Sequence, residues 1–578
     1  MGSVDVFLRK LTRWVPGLPD LLQYSRADVR ADLIAGISVA TVALPVSIAY
    51  AQLAGFSPVV GLYSAILPMI VYALFGSSRQ LIVGPDAATC AMISAALMPL
   101  AAHDPAHYHA LAISLTLITG LLCILAGRLR LGFLADLLSS PILIGLLNGV
   151  AVTIIVGQLG KMGGFALTGK DVIGQLISFG RHLGNLHLPT LALSAGLCVA
   201  FVALRRIWPK GPVALIVAVI AIGANVALGL AAQGVATVGE IPSALPRLHW
   251  PALPHEDWGS ILPSAALLAF VSFSSGMLTA RSFAARNGYT VDGNRELVAL
   301  GIVDIAAALS QGFAVTGADS RTAVNDAAGG RTRVAQIFAA LAILLALLLL
   351  TGPLAWLPTA ALGVILVFSS AGLMNLGAYR RLWAFSRAEF SIALATFVGV
   401  VLIGVMPGIV FAITLAVLSF LHRVARPADY VLGVAGDGEL HALRFHPDAH
   451  EQPGLLAYRF EAPLIFFNAP YFRQRIEQLV DAASTQVRWV LIDGYPISHV
   501  DLTGAQMVSE LNKELAARGI TLAFCGRRNE ILAWLAARNV SQQDVRVQLF
   551  PSRRAALQAF HEATGGGVSL SMGADAAR

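Results

Sequence analysis

The sequence predicts a polytopic α-helical membrane domain followed by a smaller cytoplasmic α/β domain, and three observations carry that reading. The first is composition. The AVILMFWYC set makes up 56% of the 578 residues and DEKR only 13%, about half the charged share of ordinary soluble domains, and the mean hydropathy is +0.72. The second is distribution: apolar runs of spanning length fill the chain from about Asp32 to Arg423 and stop at Arg426-Pro427. The third is a repeated hexad, Gly84-Pro85-Asp86-Ala87-Ala88-Thr89 and Gly317-Ala318-Asp319-Ser320-Arg321-Thr322. Both read G-x-D-x-x-T, a helix-start signal set in apolar sequence, spaced as paired half-helices would be in a transporter of two repeated halves. An aspartate at mid-membrane costs ~2.5–3.5 kcal/mol on insertion scales, so each needs a reason.

Met1 to Arg30 is polar, basic and amphipathic, without the apolar run and small-residue end of a cleavable signal, and reads as a cytoplasmic segment. Beyond it, ~20 residues per span plus short loops allow on the order of 12–14 helices, several broken by Pro or Gly. Cations fall in alternate loops: Arg79, Arg128/Arg130, Arg205/Arg206/Lys210, Arg281/Arg286/Arg295, Arg331/Arg333, Arg380/Arg381/Arg387 and Arg423/Arg426. These are the expected cytoplasmic loops. The loops between them carry His103, Asp104, Glu240, Glu256 and Asp257. Both termini are then cytoplasmic, the number of spans is even, and fourteen fits best. The net charge of +7 is topological on this reading, which argues against a nucleic-acid partner.

Cys90, Cys123, Cys198 and Cys525 lie far apart without metal or disulfide spacing and read as buried small residues. The cluster His103-Asp104-Pro105-Ala106-His107-Tyr108-His109 reads as a solvated connector rather than a metal site. No metal and no cofactor are expected. Asp136 and Asp304 fall near span ends and are expected at the interface, whereas Asn148 and Asn225 can bond between helices.

After Pro427 the pattern becomes that of a soluble α/β domain. Leu455 to Phe460, Arg488 to Asp493 and Thr521 to Cys525 read as strands, and Ala469 to Ala483, Asp501 to Ala517 and Asn529 to Asn539 as helices. From Gly565-Gly566-Gly567 onward the chain is rich in Gly, Ala and Ser and reads as a disordered tail. The domains are thus 1–30, 31–426, 427–564 and 565–578.

The stretch Pro58-Val59-Val60-Gly61-Leu62-Tyr63-Ser64-Ala65, with Tyr72 and Gly76-Ser77-Ser78-Arg79, resembles the signature of the SulP/SLC26 sulfate permease family of anion transporters, bacterial type. The resemblance extends to Asp32-Leu33-Ile34-Ala35-Gly36, Gly84-Pro85, Asn294-Arg295-Glu296-Leu297, Ser320-Arg321-Thr322-Ala323-Val324-Asn325 and Gly329-Gly330-Arg331-Thr332. The soluble domain resembles the STAS module through Pro463-Leu464-Ile465-Phe466-Phe467-Asn468-Ala469 and Val500-Asp501-Leu502-Thr503-Gly504. One departure is Val60, where an aromatic is usual. The resemblance implies two inverted seven-helix repeats, divided into a core and a gate, with an anion held between the N-termini of two broken helices. It also implies a homodimer and a multi-pass location in the cell inner (plasma) membrane. Physics agrees with such a site: two half-helix N-termini offer free N–H groups and roughly half a positive charge each.

Pro85 suits the first helical turn, and Ala87, Ala88 and Ala318 are small enough to admit a ligand to the backbone. Arg321 is the charge most in need of a partner, an anion or a structural carboxylate at Asp319 or Asp86. Ser320 and Thr322 can donate to an oxyanion or cap the helix. Tyr50, after the Pro45 break, matches a pocket aromatic of the family, and Val46 stands where some members have Gln. Many relatives carry a coupling carboxylate in the eighth span; aligned on Met277-Leu278-Thr279, that position here is Ser275. Asp86 and Asp319 instead occupy positions that are commonly apolar. The expectation is proton-coupled anion transport, with Asp319 or Asp86 neutralised on binding, against the plainer reading that each Asp caps its own helix. Thr503 matches the phosphorylatable position of bacterial STAS proteins.

The function expected is secondary transport of small anions of the sulfate, bicarbonate or C4-dicarboxylate class by rocking of core against gate, and not enzyme chemistry. Competing readings are a membrane anion sensor signalling through STAS, a nucleobase:cation symporter and a sodium-coupled bicarbonate symporter.

Overall fold

The computed structural model describes residues 15, 17, 24–101, 104–136, 140–169, 171–209, 211–246, 248, 258–526 and 547–565. The chain divides into two compact units, Met1–Ala416 and Val417–Arg578.

The first unit repeats one order of elements. Its first half runs α1 (Arg26–Leu53), α2 (Pro58–Phe75), strand β1 (Val83–Gly84), α3 (Ala87–Leu97), α4 (Pro105–Arg128), α5 (Ser140–Gly163), a short amphipathic α6 (Val172–Arg181), α7 (Leu188–Ile207) and α8 (Val213–Leu228). Its second half runs α9 (Trp258–Arg286), α10 (Gly293–Leu309), strand β2 (Thr316–Gly317), α11 (Asp319–Ala327), α12 (Val334–Leu349), a five-residue α13 (Thr351–Ala355), α14 (Thr359–Ala371), amphipathic α15 (Leu376–Phe385), α16 (Arg387–Ile403) and α17 (Val405–Ala425). Setting aside α6, α13 and α15, each half has seven spans, fourteen in all. Among the described residues, eight segments are both long and apolar enough to cross a membrane, and α3, α8 and α12 are shorter apolar helices.

Two helical groups pack within this unit. In one, α10 lies on α4 and α12 on α1 and α2; in the other, α14 and α16 lie on α5. These are the core and the gate. The α4–α10 contact depends on small residues, since a Cβ at Gly120 would sit 2.7 Å from the Gly301 carbonyl oxygen. Backbones this close gain dispersion contacts that lipid cannot replace.

Polar side chains tie distant parts of the core together. Asp32, fully buried, accepts from Arg331 N–H at 2.7 Å, Thr332 N–H at 3.1 Å and Thr332 Oγ1 at 2.6 Å. Buried Glu296 accepts the Tyr72 hydroxyl at 2.5 Å and the Ser77 N–H at 3.2 Å. The segments that carried the family resemblance are therefore also clamps between the two repeats. Asn225 Nδ2 donates to Trp356 O at 2.7 Å, and Asn148 Oδ1 accepts from Asn375 N–H at 3.2 Å. Asp304 corrects the sequence expectation: it is not interfacial but fully buried, and its Oδ1 accepts the Val315 N–H at 2.9 Å. An orphan backbone donor at the turn before β2, invisible in the sequence, explains the burial.

The second unit holds a six-stranded sheet in the order β4-β3-β5-β6-β7-β8. Strands β5 (Leu455–Phe460), β6 (Trp489–Asp493), β7 (Thr521–Cys525) and β8 (Gln548–Phe550) are parallel, and β3 (Asp429–Val434) and β4 (Leu440–Ala442) continue it antiparallel. Helices α18 (Ala469–Asp481), α19 (Leu502–Ala517) and α20 (Arg553–Thr564) cover it. The sequence reading missed β3, β4, β8 and α20; β4 and β8 are only three residues long and β3 contains Gly433. The helix expected over Asn529 to Asn539, the residues 566–578 of the tail, His103, Lys210, Glu256, Asp257 and most of the N-terminal segment lie outside the described residues.

Candidate functional site

The two hexads meet. Strands β1 and β2 pair antiparallel, Val83 opposite Gly317 and Gly84 opposite Thr316, which brings the starts of α3 and α11 to one point. Their strands are held from outside by side chains: Gln336 Nε2 donates to Leu81 O at 2.8 Å, its Oε1 accepts from Val83 N–H at 3.3 Å, and Thr322 Oγ1 accepts from Ile82 N–H at 3.0 Å. Thr322 thus serves the scaffold. Gln336 was missed from the sequence, although a lone amide in an apolar helix was the available signal.

In α3 the first intrahelical bond is Cys90 N–H to Asp86 O, and in α11 it is Thr322 N–H to Ala318 O. The amides of Ala87, Ala88 and Thr89, and of Asp319, Ser320 and Arg321, therefore have no intrahelical acceptor. Ala87, Ala88 and Ala318 are buried, while Asp319 and Ser320 are exposed. Pro85 is not in the first helical turn, as the sequence suggested. It precedes Asp86, which is the N-cap, because an Asp side chain caps better than a proline ring.

The two aspartates have different surroundings. Asp86 Oδ2 accepts from Ala88 N–H at 3.1 Å, closing its own helix. Asp319 begins α11 without capping it, and its Oδ1 accepts from the Thr279 hydroxyl of α9. Thr279 is buried and also lies 3.1 Å from Ser275 O. Thr279 thus links Asp319 to the Ser275 carbonyl. The two aspartates are near enough to interact electrostatically.

Arg321 is only 1% exposed. Its Nη2 donates to the Pro85 carbonyl, and its Nη1 is buried without a hydrogen-bond partner. The guanidinium lies against Gly84, where φ is +151° and a Cβ would come within 2.6 Å of Nη1. Glycine there serves both the backbone conformation and the close approach. Tyr50 on α1 is 6% exposed and within electrostatic range of Asp86 and Arg321. Tyr50, Pro85, Asp86, Ala87, Ala318, Asp319, Ser320 and Arg321 thus gather around the crossing, with Ser275 and Thr279 beside Asp319. Thr503 lies in the other unit, exposed in the first turn of α19. Among the described residues, no group of three or more His, Cys, Asp or Glu could hold a metal ion.

Chemically, one guanidinium, the first-turn amides other than that of Ala88, which Asp86 takes, and two helix termini favour an anion, and two carboxylates oppose it. With both ionised, the side chains sum to one negative charge, about offset by roughly +0.5 from each helix terminus. Each proton taken up shifts the pocket one charge towards an anion.

The profile of the Sulfate permease family matches residues 29–396, and that of the STAS domain matches residues 446–556. A probable sulfate transporter of Mycobacterium tuberculosis is 39% identical over 548 residues, covering 95% of this chain and 98% of the relative. The fold superimposes on the murine Slc26a9 anion transporter in its inward-facing state with a TM-score of 0.86 at 21% identity, over 97% of this chain and 95% of that one. The transmembrane domain of a cyanobacterium bicarbonate transporter, BicA, matches with a TM-score of 0.59 at 24% identity, over 68% of this chain and 98% of that one.

Proposed function

The chain belongs to the sulfate permease family, and from that premise we propose that it is a proton-coupled transporter of a small oxyanion, sulfate first, through the crossing of α3 and α11. Anion transport is the common property of the relatives; proton coupling rests on the site. The observation that carries it is Asp319, a carboxylate set at an anion-favouring helix start and held by Thr279 rather than spent as a cap. A dianion meets a near-neutral pocket when both carboxylates are ionised and a positive one when Asp319 carries a proton. Uptake with protons is therefore favoured over uptake alone. Tyr50, Pro85, Ala87, Ala318, Ser320 and Arg321 line the anion site, Asp319 holds the coupling proton, and Asp86 stays the ionised cap of α3. The core, residues 31–426 with the gate, rocks to expose the site alternately. The STAS domain, 427–564, follows it in a homodimer of the inner membrane with both termini cytoplasmic.

A second reading is sodium coupling. Asp319, Thr279 Oγ1 and Ser275 O bring three hard oxygens together, the donor type such cations prefer. Uptake of labelled sulfate, bicarbonate and succinate into proteoliposomes, under a proton gradient and separately a sodium gradient, decides between them. Uptake driven by the proton gradient alone supports the proposal. Uptake driven only by sodium moves the assignment to symport with that ion, and no uptake of any anion overturns it in favour of sensing through STAS.

A further inference from the structure

The carboxyl ends of the parallel strands in the STAS sheet carry a charge cluster that transport does not use. Side chains alternate across a sheet, so Leu455, Ala457 and Arg459 of β5 share a face with Trp489, Leu491 and Asp493 of β6. That face is apolar and packed under α20 until its last residues. There Asp493, 1% exposed, takes Arg459 Nε at 2.8 Å and Arg553 Nη2 at 3.0 Å. One guanidinium is enough to neutralise a carboxylate; here there are two, and Arg553 Nε is buried without a hydrogen-bond partner. Tyr495 backs the Arg553 guanidinium at 5.2 Å.

Beside this triplet lies a cavity of about 450 Å³ lined by Arg459 and Arg553, and by His441 and His446 from β4 and the turn after it. The two imidazoles are 4.4 Å apart. Asp437 and Glu439 also line it, but Asp437 is engaged by the Glu439 N–H at 2.9 Å and by His441 Nε2 at 2.8 Å. Arg444, in the same turn, lies over Phe445. Ligands of open α/β sheets sit at the carboxyl ends of the parallel strands, which is where this cavity opens.

We propose that the cavity binds a small tetrahedral oxyanion, sulfate or phosphate, on the STAS domain, and that protonation of His441 and His446 admits it. Two arginines against Asp493, Asp437 and Glu439 leave the lining with one negative charge while the imidazoles are neutral. Both protonated, they make it positive by one and add donors on the wall facing the arginines. The arginine forks match the oxygens of a tetrahedral oxyanion. The site does not depend on which anion the membrane domain carries.

The test is hydrogen–deuterium exchange of the full-length protein at about pH 6 and pH 8, with and without millimolar inorganic phosphate, sulfate or AMP. Phosphate or sulfate is expected to protect peptides covering 437–446 and 548–560 at pH 6 and not at pH 8. His446→Gln, on an exposed turn outside the Asp493 triplet, removes one protonatable wall group and is expected to weaken binding at pH 6 roughly tenfold. Arg553→Gln is expected to do at least as much. Protection unchanged in His446→Gln would mean an effect transmitted from elsewhere and would overturn the proposal. So would protection at neither pH, or by AMP without the inorganic ions.

Discussion

Asp319 accepts the hydroxyl of Thr279, a residue 40 positions earlier on another helix, whereas its counterpart Asp86 closes the helix it begins. One motif thus has two fates. A capping carboxylate is ionised to do its work, while Asp319 is free of that duty and open to the pocket. In Asp319→Asn the pocket is fixed one charge nearer to an anion's preference, with no proton to take up or release there. Uptake of sulfate by Asp319→Asn is therefore expected to lose its response to an imposed proton gradient while counterflow exchange of labelled sulfate persists. A full response to the gradient in this variant would sink the coupling role.

Asp86 predicts a milder result. Asn caps a helix about as well as Asp, so Asp86→Asn is expected to leave the melting temperature of the purified protein nearly unchanged and to retain gradient-driven uptake. Asp86→Ala removes the acceptor for Ala88 N–H and is expected to cost about 0.5–2 kcal/mol. Thermal melting in detergent, beside proteoliposome uptake, separates the two effects.

How much of this was legible in the sequence differs residue by residue. Asp86, Asp319 and Arg321 were conspicuous because polar groups in apolar runs are costly, and Gly84 because it opens the repeated hexad, from which their pairing followed. The fourteen spans followed from length and loop charge. The Thr279 partner was reachable only through the family alignment, because nothing local joins residues so far apart. The clamps of Asp32 onto Arg331 and Thr332, and of Glu296 onto Tyr72, were seen as markers without a role. Their acceptors and donors are brought together by tertiary packing, which no periodicity encodes. Asp304 was misplaced for the same reason: its partner is a backbone amide at Val315.

Gly84→Ala tests the close approach of Arg321. The added methyl meets the guanidinium at 2.6 Å and the backbone φ of +151° disfavours any side chain. Arg321 must move from the crossing, and displacement of a binding group by about 1 Å can cost on the order of 100-fold. Uptake per molecule is expected to fall between roughly tenfold and that limit in protein that still runs as a single species on size exclusion. Near-normal uptake would show that the position of Arg321 is not critical.

Glu296→Ala should separate stability from transport. It leaves the Tyr72 hydroxyl and the Ser77 N–H without their buried acceptor, at about 1–3 kcal/mol for each unpaired donor. Its site is a scaffold clamp, with no contact to the crossing of β1 and β2. The expected outcome is a lower melting temperature and lower yield, with uptake per folded molecule close to wild type at low temperature.

Within the STAS domain, Asp501 and Thr503 have opposite importance for folding. Asp501 caps α19 through Gly504 N–H at 2.8 Å and accepts Phe466 N–H at 2.7 Å, joining the loop after β5 to the helix. Asp501→Ala frees both donors and is expected to destabilise the domain by about 1–2 kcal/mol, seen as earlier unfolding of peptides 464–469 and 502–517 in hydrogen exchange. Thr503 is exposed, and Thr503→Ala is expected to change neither exchange nor uptake in unphosphorylated protein. A phosphate on Thr503 would gain from the helix terminus but stand near the Asp501 carboxylate, so its net effect is a contest between dipole and like charge. Thr503→Glu reads out the sign. Slower exchange in 502–517 means the dipole wins and phosphorylation would tighten the domain, whereas faster exchange means that Asp501 prevails and phosphorylation would loosen it.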